Sequence, residues 1–166
     1  MRNEINNEVS KTIYFDMDGT IADLYAVDEW LPKLRSEDST PYRDAKPMVN
    51  MSTLARRLNK LSRMGFDIAV VSWTAKNGTP KYNNEVAKAK KEWLKKHLRS
   101  VEFSEIVIAE YGIPKSTLVK DKNGILFDDE YNNRIEWKGM ARDTNDILDT
   151  LKAIELSSES GRVSLN

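Results

Sequence analysis

Four short apolar runs, each closed by polar or turn residues, constrain this chain more than any other feature. They are Thr12-Ile13-Tyr14-Phe15, Ile68-Ala69-Val70-Val71, Ile106-Val107-Ile108-Ala109 and Ile125-Leu126-Phe127. All are continuous rather than alternating, and rich in β-branched and aromatic residues. A strand with one wet face alternates, whereas a strand covered on both faces does not, so the runs predict a buried parallel sheet. The intervals carry apolar residues at helical spacing. Leu24, Val27, Leu31 and Leu34 share one face, and Leu54, Leu58 and Leu61 make a second stripe closed by Gly65 as a C-cap. Val86, Trp93, Leu94 and Leu98 make a third stripe, and Ile147, Leu148, Leu151 and Ile154 a fourth. Strand alternating with helix gives an α/β class with helices on both sheet faces.

The 166 residues suit one domain, assigned to residues 1–156, with a polar tail over 157–166. One interval is too long. From Asp18 to Ser72 the numbering advances 54 positions, whereas a strand–helix–strand unit needs roughly 30 residues. The excess lies over residues 23–50, includes Pro32, Pro41 and Pro47, and reads as a small, mostly helical insertion above the end of the first strand. Tyr25, Trp30 and Tyr42 are candidates for lining a lid, although Trp30, beside Leu31, reads rather as part of the core.

Composition removes several chemistries. Without Cys there is no disulfide framework, no thiolate nucleophile and no Cys-bound zinc. The lone His97 forbids a two-His metal site within one chain. With 26 basic and 26 acidic side chains, nothing global attracts a polyanion. Met1 to Lys11 is polar, with no signal-peptide apolar region, and no apolar run approaches the ~18 residues that span a bilayer. The expectation is a cytoplasmic protein without a membrane partner; its oligomeric state is not legible.

Three of the four strands end in reactive groups: Asp16-Met17-Asp18-Gly19-Thr20, Ser72-Trp73-Thr74 and Asp128-Asp129-Glu130. Ligands of an open parallel sheet bind beyond the carboxyl ends of its strands, so these groups should converge. Carboxylates gathered at one rim repel unless a cation sits among them, and oxygen donors without His or Cys suit Mg²⁺. Gly19 permits a tight loop whose backbone N–H groups, with Thr20, can hold phosphate oxygens. One carboxylate can act as nucleophile and form an aspartyl-phosphate, and the other can protonate the leaving oxygen.

In this order and on these elements, the segments resemble the four motifs of the haloacid dehalogenase-like (HAD) superfamily, most closely its 5′(3′)-deoxyribonucleotidase branch. The resemblance spans Ile13 to Asp129. It implies a HAD-like Rossmannoid parallel sheet flanked by helices, with a small helical cap inserted after the first motif. It further implies a Mg²⁺-dependent phosphatase acting on a phosphomonoester, most readily a nucleotide. Asp16 would be the nucleophile, Asp18 the general acid and base, and Ser72 a hydrogen-bond donor to the transferring phosphoryl group. Asp128 and Asp129 would hold Mg²⁺ with Asp16 and the backbone carbonyl of Asp18. Lys115 is the leading third-motif lysine, with Lys120 and Lys122 as alternatives.

Other residues keep two readings. Trp73 either forms a pocket wall against the substrate or packs under the insertion, and Thr74 is a further candidate for phosphate contact. His97 reads as structural. Lys88, Lys90, Lys91, Lys95, Lys96 and Arg99 read as a solvated helix face, or as a track for a nucleic-acid end. The second reading supports an alternative function, a phosphatase acting on nucleic-acid ends. A third reading is a binding module with an idle HAD-like pocket.

Overall fold

The computed structural model describes residues 11–163, with side chains through residue 160. The polar N-terminal residues 1–10 and the last tail residues, 164–166, lie outside the described residues. Strand β1 (Thr12–Phe15) coincides with the first apolar run. It is followed by β2 (Ala22–Asp23), a 3₁₀ turn at Leu24–Ala26, α1 (Trp30–Arg35), α2 (Thr40–Asp44) and β3 (Lys46–Pro47). Then come α3 (Met51–Arg63), β4 (Asp67–Trp73), α4 (Pro80–His97), β5 (Glu105–Ala109) and α5 (Lys115–Leu118). The chain closes with β6 (Ile125–Phe127), α6 (Tyr131–Glu136), β7 (Ala141–Arg142) and α7 (Ile147–Val163).

Five strands form one sheet in the order β5-β4-β1-β6-β7, every pairing parallel. Central β1 is dry on both faces, as its continuous apolar run requires: Ile13 and Phe15 join one core and Tyr14 the other. The larger core takes Leu54, Leu58 and Leu61 of α3, Trp93 and Leu94 of α4, and Leu151 of α7. The three α3 leucines are fully buried, and each contributes about 1.5–3 kcal/mol. The opposite face is covered by Val119 and Trp137, which follow α5 and α6. The fold is thus α/β, with a parallel sheet flanked by helices. No helix among the described residues is long and apolar enough to cross a membrane.

Local signals fix the long helices. Asn50 caps α3 by accepting the Thr53 N–H at 3.0 Å, and Gly65, at φ +100°, ends its final turn. Thr79 caps α4 by accepting the Tyr82 N–H, and Pro80 occupies the first helical position.

Three expectations change. The stripe Leu24–Leu34 does not form one helix; the chain breaks at Glu29, whose φ of +56° is left-handed, and α1 starts afresh at Trp30. The insertion over residues 23–50 becomes a 3₁₀ turn and two short helices, α1 and α2, whose base is tied by antiparallel pairing of β2 with β3. The tail assigned from residue 157 continues α7 through Val163. Lys60 of α3 pairs with Glu155 and, at 3.1 Å, with Glu159, which anchors this polar extension. Lastly, β7 joins the sheet edge although two residues are too short to leave a periodic trace.

The chain fills the sheet outward from β1 through β4 to β5, then returns to the other side of β1 with β6. The reversal places a crevice between the carboxyl ends of β1 and β6, where α/β proteins bind ligands.

Candidate active site

Asp16, the first residue beyond β1, is pinned to β6 by its N–H, which donates to the Phe127 carbonyl at 2.9 Å. The chain then turns sharply: the Met17 carbonyl accepts the N–H groups of Thr20, Ile21 and Ala22, and Gly19 N–H donates to the Ala22 carbonyl. Gly19 sits at φ +74°, and a Cβ there would lie 2.4 Å from Asp129 Oδ2, so glycine is required on both counts. Of the loop N–H groups expected to hold phosphate, those of Gly19 and Thr20 are engaged by the turn itself. Thr20 serves through its hydroxyl, 3.2 Å from Asp16 Oδ2 and 3.3 Å from Asp129 Oδ1, while accepting the Asp129 N–H.

The groups expected to converge do converge. Ser72, near the end of β4, donates to Asp16 Oδ1 at 3.0 Å. Lys115, at the start of α5 and 2% exposed, donates to Asp16 Oδ1 at 2.8 Å and to Asp128 Oδ2 at 2.6 Å. Lys120 is exposed and Lys122 donates to the Ser116 carbonyl at 2.7 Å, so of the three lysines Lys115 alone reaches these carboxylates. Asp128, just after β6, is fully buried. It accepts the Glu130 N–H at 2.9 Å and the Asn133 amide at 3.2 Å. Arg134 donates to the carbonyls of both Asp128 and Asp129 at 2.8 Å, which fixes the loop.

Lys90 enters the site unannounced by the sequence. It is 1% exposed and donates to Asp18 Oδ2 at 2.6 Å, to Ser72 Oγ at 3.0 Å and to the Trp73 carbonyl at 2.6 Å. Counted among the lysines of a solvated face, it is in fact the one that turns inward. Its position gave a signal: Val86, Ala89, Trp93 and Leu94 lie three or four positions, or one, away on the buried stripe of α4. His97 packs on Trp93, ring centroids 4.5 Å apart, at the far end of α4 and outside the site.

These cations divide the carboxylates. Burial raises the Asp16 carboxyl, but Lys115 and Lys90 outweigh it and hold Asp16 below the ordinary range. For Asp18 burial prevails over the opposing charge of Lys90, Asp16 adds repulsion, and the carboxyl is raised. The two carboxyls of the pair are thus shifted in opposite directions, Asp16 down by its cations and Asp18 up by its burial.

One oxygen from each of Asp16, Asp128 and Asp129 lies within 4.8 Å of the others. Burial, then the charge of Asp16, pushes Asp128 up to about 6; the same causes, with Asp128 added, push Asp129 up to about 7. Three hard oxygens that repel one another in a buried corner fit a metal ion. The Asp18 carboxylate pairs with Lys90; the expected metal contact from Asp18 is its backbone carbonyl, which this pairing leaves untouched.

A cavity of about 630 Å³ opens over these groups. Tyr25, Trp30 and Tyr42 of the insertion line it together with Trp73, Thr74 and Tyr111. Trp30, expected in the core, is half-buried and meets Tyr25 edge to face. Trp73 stands at the cavity wall, with its indole N–H donating to the Ile113 carbonyl at 2.8 Å. Thr74 Oγ1 is buried without a partner, an arrangement that leaves a donor for a ligand in the cavity.

Fold and site together define an α/β protein with a carboxylate–ammonium centre at the carboxyl edge of its sheet. Neither a protein-family model nor a curated protein sequence matches this chain.

Proposed function

We propose that this protein is a Mg²⁺-dependent phosphomonoester hydrolase of the HAD-like type, acting through an aspartyl-phosphate on nucleoside monophosphates. The observation that carries the reading is the Asp16–Asp18 pair. Its first carboxyl is held ionised between Lys115 and Ser72, and its second is raised and gripped by Lys90. Asp16 attacks phosphorus while Asp18 delivers its proton to the departing oxygen. Asp18 then takes a proton from the water that cleaves the acyl phosphate, which returns Asp16. Ser72, Lys90 and Lys115 supply preorganised donors to the equatorial oxygens as charge gathers there. Asp16, Asp128 and Asp129 would hold Mg²⁺, which supplies charge neutralisation at the phosphoryl group when bound.

The substrate reading rests on the cavity. Its volume and aromatic walls suit a phosphate carrying a planar group, and its enclosure by α1 and α2 suits a free nucleotide better than a strand. The exposed lysines of α4 remain the basis for a nucleic-acid end. The test is a panel in Mg²⁺: p-nitrophenyl phosphate, nucleoside monophosphates, and an oligonucleotide bearing a terminal phosphate. Turnover greatest on the monophosphates supports the reading. A preference for the oligonucleotide that falls steeply with salt transfers the assignment to nucleic-acid ends. No turnover on any member leaves a binding module.

A further inference from the structure

We propose that Trp73 is a positioning residue for Lys115: its ring and its indole N–H together hold the lysine at the nucleophile. The inference rests on the reading of Lys115 as the cation beside Asp16. Two contacts carry it. The Lys115 ammonium lies 5.0 Å from the centroid of the Trp73 ring, within cation–π range. The same indole donates from Nε1 to the carbonyl of Ile113, two residues before Lys115, at 2.8 Å. One side chain therefore grips both the head of the lysine and the backbone that delivers it.

The delivering segment needs such a hold. Lys115 opens a helix of only four residues, entered through Gly112 at φ +90° and Pro114. The side chain offers four rotatable carbons and a point charge, which costs rotamer entropy to fix. Its two carboxylate partners are not constant either. When Asp16 carries the phosphoryl group its negative charge leaves the carboxylate, and Asp128 is also a candidate metal ligand. The face of the indole keeps its negative potential throughout. Trp73 is in turn fixed: it follows Ser72 at the end of β4 and meets Tyr111 with ring centroids 5.0 Å apart, while Lys76 lies 5.7 Å from the Tyr111 centroid. An indole held by its own hydrogen bond and by Tyr111 is suited to orienting a neighbour, whereas a substrate-stacking ring needs a free face.

The experiment compares wild type, Trp73→Leu and Trp73→Phe in Mg²⁺ on an aryl and a simple alkyl phosphomonoester. It also measures the rate at which an amine-acylating reagent modifies Lys115, read by peptide mass spectrometry. Trp73→Leu is expected to lower kcat about tenfold by the same factor on both substrates, with KM unchanged. Trp73→Phe, which keeps a ring and loses the N–H, recovers part of that loss. Lys115 is acylated fastest in Trp73→Leu, more slowly in Trp73→Phe and slowest in wild type. A rise in KM confined to the aryl substrate, with Lys115 protection unchanged, would overturn the proposal and make Trp73 a substrate contact. Unaltered kinetics and protection in both variants would overturn it as well. If wild type hydrolyses neither substrate, a nucleoside monophosphate is used in their place; if that is not hydrolysed either, the phosphatase reading fails, while the acylation rates still decide whether Trp73 holds Lys115. Should Trp73→Leu not fold, Trp73→Phe against wild type gives the same comparison.

Discussion

Lys90 Nζ stands 2.6 Å from Asp18 Oδ2 and 3.0 Å from Ser72 Oγ. It joins a helix of the sheet's outer layer to the end of β4 and to the turn after β1. Its ring neighbour is Tyr42 of α2, 5.1 Å from the ammonium to the centroid, so the same cation also touches the segment that roofs the cavity. The charge that orients the proposed acid is thus tied to the wall that encloses it.

Lys90→Met should therefore cost far more than a surface lysine. Turnover is expected to fall about 10²-fold or more, from loss of a preorganised donor. Lys91→Ala, at the exposed neighbouring position, should leave kcat and stability unchanged. Steady-state kinetics on both variants checks the contrast; equal effects would place Lys90 outside the chemistry.

Thr74→Val separates binding from stability. The Thr74 hydroxyl is buried without a partner, so an apolar replacement of the same shape should not destabilise the fold and can add up to about 1 kcal/mol. The expected kinetic signature is a raised KM with the denaturation midpoint equal or higher. A lowered midpoint would mean that the hydroxyl is satisfied within the protein.

Gly19→Ala should damage the site through geometry alone. An alanine at φ +74° is strained, and its Cβ would press on Asp129 Oδ2 at 2.4 Å. The variant is expected to lose more than about 1 kcal/mol of stability. Its Mg²⁺ affinity, by calorimetry, should fall with Asp129 displaced.

Metal-free stability should depend on pH with a definite sign. Asp129 is raised in the folded protein from 3.8 to about 7, first by burial and then by Asp16 and Asp128. Between those values the folded state keeps a proton that the unfolded state has released. The stability linked to this group is therefore full below pH 3.8 and lost as pH rises through about 7. Asp129→Asn should remove that slope and stabilise the metal-free protein by about 1–2 kcal/mol at pH 8. Denaturant titrations in chelator at pH 5 and pH 8 measure it, the benefit being expected at the higher pH; the same gain at both would contradict the assignment.

The parts legible in the sequence were those written as burial. The runs in β1, β4 and β6 located strands because a strand dry on both faces leaves a continuous apolar trace. The run Ile106–Ala109 also located a strand, but β5 is the sheet edge, none of its residues is buried and Ile106 is exposed, contrary to the expected burial. Leu54, Leu58 and Leu61 located the face of α3. The convergence of Asp16, Ser72 and Asp128 followed from strand ends alone. What escaped was written in other terms. Lys90 was hidden because composition groups it with its charged neighbours, whereas its phase on the helix groups it with Val86 and Trp93. The break at Glu29 rests on a single backbone angle in a residue type that usually avoids it. The engagement of the Gly19 and Thr20 amides depends on the closure of the turn onto Met17 and Ala22, which residue identity does not encode.

The central claim is that Asp16 becomes phosphorylated. The direct measurement is to quench turnover in acid, reduce with borohydride, and map the protein by mass spectrometry, since an aspartyl-phosphate is converted to homoserine. The account predicts homoserine at position 16 in wild type in the presence of Mg²⁺ and a phosphomonoester, and none in Asp16→Asn, which should also be inactive. Substrate turnover without homoserine at position 16, or an Asp16→Asn variant as active as wild type, would contradict it.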